Sequence, residues 1–158
     1  MEKKRSIVIL GSTGSIGTST LNVIKEKKSK FSIELLTANN NYKKLITQAK
    51  IFKPKNVLIM NKNYYLNVKN SLKNTKTKVY SGNISINNII SKKVDFTMAS
   101  IVGVAGLQPT LDSIRCSKTV AIANKEAIIC GWEILSKFIK KYKTKIYPVD
   151  SEHFSIFE

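Results

Sequence analysis

Ile7-Val8-Ile9-Leu10-Gly11-Ser12-Thr13-Gly14-Ser15-Ile16-Gly17 stands almost at the start of the chain. It reads as an apolar strand running into a glycine-rich turn and then into a helix over about Ser15–Lys28. The three glycines let the backbone turn sharply and let a phosphate reach peptide N–H groups with no Cβ in the way. The helix that follows directs its unsatisfied N–H groups and positive dipole end at the same spot. An ordinary strand-to-helix turn rich in small residues would read the same way. The spacing is also G-x-x-G-x-x-G, not the commoner G-x-G-x-x-G, so the motif alone points to a nucleotide, a dinucleotide first.

Beyond the turn, strand-like and helix-like segments alternate to the end of the 158 residues. Strands read at about Ser6–Leu10, Ile33–Thr37, Asn56–Met60, Lys78–Tyr80, Asp95–Ala99, Thr119–Ala123 and Lys145–Val149. Helical patterns lie near Ser15–Lys28, Tyr42–Phe52, Asn63–Lys73, Ile84–Ile90, Pro109–Cys116 and Lys125–Tyr142. Short continuous apolar runs such as Val120-Ala121-Ile122-Ala123 are what a parallel sheet covered on both faces requires. Pro109 falls in the first turn of its helix, where its missing N–H costs nothing. In the last helix Ile128, Ile129, Trp132, Leu135, Phe138 and Ile139 have core-facing spacing, so Trp132 and this stripe are expected in the core. The expected fold is α/β, a Rossmann-like doubly wound, mostly parallel sheet. Ligands bind beyond the carboxyl ends of such strands.

Composition narrows the partners. Hydrophobic residues make up 42%, normal for a globular domain. There is no apolar run long enough for a membrane span, and Met1-Glu2-Lys3-Lys4-Arg5 leads straight into the first strand with no secretory or transit pattern. A cytoplasmic protein with no membrane partner is expected. The net charge of +17, from 27 Lys plus Arg against 10 Asp plus Glu, would suit a polyanion partner. Yet only Arg5 and Arg115 are arginines, and the lysines are spread over every polar segment, so the charge reads as solvated surface, with no nucleic acid expected. Cys116 and Cys130 form no C-x-x-C pair; both are expected among apolar neighbours as small hydrophobes.

Three polar clusters follow strands. After the second strand, Ala38-Asn39-Asn40-Asn41 contains no carboxylate of the kind that accepts from an NAD ribose. A 2′-phosphate would meet amides and the nearby Lys43 and Lys44 there, which favours NADPH over NADH; the alternative is that Asn41 only caps the next helix. Asn124-Lys125-Glu126 opens the last helix. Asn124 can cap it while facing the crevice, and Lys125 is either a donor to a substrate oxygen or solvated surface. Asp150-Ser151-Glu152-His153 follows the last strand. Carboxylates at i and i+2 of extended backbone point to one side and could share a cation, Mg²⁺ or Mn²⁺ rather than Zn²⁺. The same residues also make an ordinary helix start, with Asp150 or Ser151 as N-cap.

Together, GSTGSIG at Gly11–Gly17, IVGVAGLQPTL at Ile101–Leu111, ANKEA at Ala123–Ala127 and PVDSEHFSIF at Pro148–Phe157 resemble 1-deoxy-D-xylulose 5-phosphate reductoisomerase, in order and separation, over essentially the whole chain. The resemblance implies an NADPH-dependent reductoisomerase of isoprenoid precursor biosynthesis. Its ketose phosphate substrate is rearranged and then reduced to 2-C-methyl-D-erythritol 4-phosphate. Carried over by position, Thr13, Gly14, Ser15 and Ile16 form the NADPH phosphate loop. Asn39, Asn40 and Asn41 face the adenosine ribose phosphate, and Asn124 and Glu126 add cofactor contacts. Lys125, Ser151 and Glu152 touch the sugar phosphate, with Lys125 and Glu152 catalytic. Asp150 and Glu152 ligate a divalent metal, Mg²⁺ or Mn²⁺.

Many family members carry Gly-Lys-Asn where this chain has Asn39-Asn40-Asn41, and family enzymes run to about twice this length or more, as homodimers. Residues 1–149 are therefore expected to be the NADPH-binding domain and residues 150–158 the start of the metal- and substrate-binding domain. On that expectation these 158 residues bind NADPH without turning over substrate. Two other readings remain at this stage: the cofactor domain of another NADP-dependent dehydrogenase, and a non-enzymatic nucleotide- or RNA-binding module.

Overall fold

Apolar side chains alternate between the two faces of the central strands, and both faces are covered. In the computed structural model, which describes residues 4–149, Ile7 and Ile9 of β1 (Arg5–Leu10) enter one core while Val8 and Leu10 enter the other. That double burial is why the strands read as continuous apolar runs.

The chain proceeds through α1 (Ser15–Glu26), β2 (Phe31–Ala38), α2 (Tyr42–Phe52), β3 (Asn56–Ile59), α3 (Tyr65–Leu72), β4 (Lys78–Ser81), α4 (Ile86–Ile89), β5 (Val94–Ala99), α5 (Leu107–Cys116), β6 (Ser117–Ile122), α6 (Lys125–Tyr142) and β7 (Lys145–Pro148). The seven strands form one sheet in the order β4-β3-β2-β1-β5-β6-β7, and every pair is parallel. The doubly wound expectation holds. Leu21 and Ile24 of α1, Leu45 and Ala49 of α2, and Val68 and Leu72 of α3 pack on one face. Ile86 and Ile89 of α4, Leu111 and Ile114 of α5, and Leu135 of α6 pack on the other. The strand order reverses at β1/β5, where such sheets open their ligand crevice.

The last helix departs from the sequence expectation. Leu135 is buried, but Ile129 is 76% and Trp132 58% exposed, and Cys130 is exposed as well. The row that packs inward is Ala127, Gly131 and Leu135, at i, i+4 and i+8. A Cβ on Gly131 would run into Leu107, so α5 approaches α6 closely along this small-residue row. Of the expected stripe, Ile128, Phe138 and Ile139 pack half-buried against the core beside that row, whereas Ile129 and Trp132 turn away from it. Cys116 is buried as expected, and burial pushes its thiol pKa up, which leaves it inert.

At the amino ends of the strands, away from the crevice, Asp95 ties β5 to its neighbours. Its carboxylate accepts from Lys118 Nζ at 2.7 Å, from Ser6 N at 2.9 Å and from Ser6 Oγ at 2.8 Å. These donors, Lys118 first, hold its carboxyl well below the usual carboxylate range. A carboxyl whose pKa is lowered on folding stabilises the fold above its unfolded value of about 4, and that contribution is lost as pH falls below it. Urea midpoints measured from about pH 5 down to about pH 2 are expected to fall, and less so in Asp95→Asn. An unchanged slope in the variant would show that other groups carry the acid sensitivity.

Candidate functional site

The glycine turn is built on β1 and held from three sides. Gly11 lies at φ +72°, and a Cβ there would stand 2.9 Å from Ser100 O on the loop after β5. Gly14 N donates to Gly11 O at 3.1 Å and closes the turn. Gly17 sits where α1 crosses back over the loop; a Cβ on it would collide with Gly11 O and stand 2.6 Å from Ser12 Cα. The three glycines thus have three distinct uses: a left-handed turn, an open approach, and contact of helix on loop.

Gly14 is also the N-cap of α1. No side chain caps that end, and its first turn carries no acidic residue. By contrast, α2 and α6 are capped by Asn41 and Asn124. The first N–H groups of α1 are left for an anion placed at the turn.

Buried polar groups anchor the turn to β2 and α2. Ser12 N donates to Thr37 O at 2.9 Å, and Gly11 N to Thr37 Oγ1 at 2.9 Å. Ser12 Oγ donates to Gln48 Oε1 at 2.7 Å, and Gln48 Nε2 returns a bond to Ser12 O at 2.8 Å. Sequence reasoning passed over this pair. The available signal was a glutamine among Leu45 and Ala49 on the apolar side of α2, where only a partnered amide is tolerated. Gln48→Leu strands the Ser12 carbonyl and leaves Ser12 Oγ only its 3.2 Å bond to Thr37 O, and is expected to lower stability by about 1–2 kcal/mol in urea unfolding.

Asn39, Asn40 and Asn41 follow β2 and are exposed, as expected for a rim. The capping alternative holds: Asn41 Oδ1 accepts from Lys44 N at 3.1 Å. Asn40 Oδ1 accepts from Asn61 Nδ2 at 2.9 Å. Lys44 reaches across to donate to Thr13 O at 2.9 Å.

On the opposite flank, Asn124 is 2% exposed and does two jobs at once. Its Oδ1 accepts from Ala127 N at 3.0 Å, capping α6, and its Nδ2 donates to Ile101 O at 2.5 Å and Gly103 O at 2.6 Å. Its amide is therefore committed to the loop after β5, which it fastens beside the crevice. Lys125 and Glu126 next to it are exposed. Asp150, Ser151, Glu152 and His153 lie outside the described residues. Val149 N donates to Ile122 O at 2.9 Å, at the same end of the sheet as the glycine turn.

Between the turn side and α5 lies a cavity of about 340 Å³, bounded by Leu10, Thr37, Met60, Ile84, Ile101 and Arg115 among others. It continues the crevice beyond β1, β2 and β3, and its mixed apolar and polar lining suits a heteroaromatic ring. No sequence signal marked it, because its walls come from six separate segments.

The arrangement matches known proteins closely. The family model for 1-deoxy-D-xylulose 5-phosphate reductoisomerase matches residues 7–131. The chain belongs to that family. The Pelagibacter ubique (strain HTCC1062) reductoisomerase is 54% identical over 154 residues, which cover 96% of this chain and 40% of that protein. The Zymomonas mobilis reductoisomerase solved in complex with NADPH superposes with a TM-score of 0.90 at 37% identity, over 97% of this chain and 40% of that one. A further reductoisomerase, solved with NADPH, fosmidomycin and magnesium, gives 0.87 at 34% identity, over 94% of this chain and 37% of that one. The chain thus spans about 40% of the length of these relatives.

Proposed function

We propose that residues 1–149 hold NADPH for a 1-deoxy-D-xylulose 5-phosphate reductoisomerase, and that residues 150–158 begin the part that receives metal and sugar phosphate. The observation that carries this reading is the uncapped amino end of α1 above a turn whose glycines leave no Cβ at the anion position. The donor set fits a reduced 2′-phosphorylated dinucleotide. Thr13, Gly14, Ser15 and Ile16 stand at the turn and the uncapped start of α1, no carboxylate follows β2, and a cavity of about 340 Å³ lies alongside. Bound there, NADPH supplies the hydride.

The chain's own residues orient it. Thr13 to Ile16 would cradle its phosphates and Asn39 to Asn41 would border the ribose phosphate, while Asn124 acts by fixing the Ile101–Gly103 backbone beside the crevice. Glu126, exposed in the first turn of α6, is assigned as a further cofactor contact. Lys125, exposed at the start of α6, is assigned as the donor to a substrate oxygen, with Ser151 and Glu152 as the other substrate contacts and Lys125 and Glu152 as the catalytic pair. Among the described residues no three His, Cys, Asp or Glu side chains come together. We assign metal binding to Asp150 and Glu152, which lie outside those residues and whose carboxylate oxygens suit Mg²⁺ or Mn²⁺.

The same reading makes the protein cytoplasmic and, in its full-length form, a homodimer acting on a small sugar phosphate, with neither nucleic acid nor membrane as partner. No helix among the described residues is long and apolar enough to cross a membrane.

Joining this chain to the remaining portion of the Pelagibacter ubique relative tests the proposal. The chimera is expected to oxidise NADPH with 1-deoxy-D-xylulose 5-phosphate and Mg²⁺, whereas the 158 residues alone are not. Turnover by the short chain would overturn the division of labour; a folded but inactive chimera would overturn the functional reading.

A further inference from the structure

We infer that Lys44 is the residue by which this chain selects a 2′-phosphorylated dinucleotide, an assignment that rests on the cofactor reading above. Three amides stand after β2; Asn41 caps α2 and Asn40 accepts from Asn61, each through its Oδ1, so what they offer a phosphate is their neutral Nδ2 donors. None of the three carries charge, so they tolerate a phosphate dianion without attracting one strongly. Lys44 supplies the missing cation. Lys44 is half-buried and its ammonium is fastened to the glycine turn through Thr13 O at 2.9 Å, which leaves two of its three N–H donors for a ligand.

Lys43, one residue earlier, is exposed, and Lys44 alone of the pair is held against the turn. Lys44 also sits in the first turn of α2, where no acidic residue offsets the helix dipole. A cation is disfavoured at that end. Positions that break a local rule in this way tend to be functional. A phosphate arriving between the turn and α2 would meet this ammonium together with the positive end of the helix.

Binding titrations of NADPH and NADH to the wild-type chain, Lys44→Gln, Lys44→Met and Lys43→Met, each checked for folding by circular dichroism, test the assignment. Glutamine keeps a donor for Thr13 O but removes the charge. The wild type is expected to prefer NADPH, and Lys44→Gln to weaken NADPH about tenfold or more while leaving NADH within about twofold. The fall of NADPH affinity with added salt is expected to be shallower in Lys44→Gln than in wild type. Lys43→Met is expected to keep the wild-type ratio. Lys44→Met is expected to lose the NADPH preference as Lys44→Gln does. An unchanged ratio in Lys44→Gln, or a ratio that collapses in Lys43→Met, would overturn the assignment. Equal losses for both nucleotides in Lys44→Gln would mean that Lys44 only holds the turn, and would overturn it too. A folded wild type that binds neither nucleotide overturns the cofactor reading itself, and the role of Lys44 with it.

Discussion

Gly17→Ala is expected both to destabilise the chain and to abolish cofactor binding, whereas Gly14→Ala is expected to affect binding alone. A Cβ on Gly17 meets only backbone: Gly11 O, Ser12 Cα at 2.6 Å and Ser12 C at 2.9 Å. No side chain can rotate out of the way, so α1 must lift off the turn. Overpacking of this kind costs about 3 kcal/mol at the upper end of its usual range. For a domain of this size that is roughly 6–12 °C in Tm. The displaced helix end no longer presents its N–H groups to a phosphate, and NADPH affinity is expected to fall at least about a hundredfold, equivalent to roughly 2.7 kcal/mol. Gly14 is different. Its φ of −73° suits any residue, and a Cβ there makes only a 3.4 Å contact with Gly11 O. Thermal melts and NADPH titrations of the two variants separate the cases. A Gly17→Ala chain that melts like wild type would refute the close helix-on-loop contact.

The second large effect is expected at Asn124. Alanine there removes a helix cap and two bonds to the Ile101 and Gly103 carbonyls in a site that water barely reaches. Losing the cap costs about 1 kcal/mol. The stranded Ile101 carbonyl adds about 1 kcal/mol more, while Gly103 O keeps its bond from Gly106 N at 3.1 Å, giving roughly 2 kcal/mol in all. Asn124→Asp keeps the cap but turns a carboxylate oxygen toward two carbonyls, so it is expected to be no more stable than alanine. Urea unfolding measures both. An aspartate variant as stable as wild type would mean that the donated bonds do not matter. NADPH binding is expected to weaken in either variant, because the loop they release borders the crevice.

These residues also show where sequence reading stops. The sheet is legible because burial on both faces forces unbroken apolar runs, and those runs place β1, β2, β5 and β6 within a residue or two. The glycine turn is legible because its chemistry is local. Asn41 and Asn124 are legible as caps, since an N-cap is recognised from its own position and the next three residues. Asn124's second role depends on a loop 21 to 23 residues away, and no local pattern carries that. The Ser12–Gln48 pair and the Lys44–Thr13 bond are likewise long-range. Trp132 misleads for a related reason. Periodicity identifies an apolar stripe, but Gly131 draws α5 onto a narrower row and leaves Trp132 outside it.

Calorimetric titration of NADPH into the 158-residue chain tests the central claim most directly. One saturable site, filled more tightly by NADPH than by NADH, is the predicted result. A folded chain that takes up no NADPH, while binding RNA with an affinity that falls steeply with salt, would contradict it.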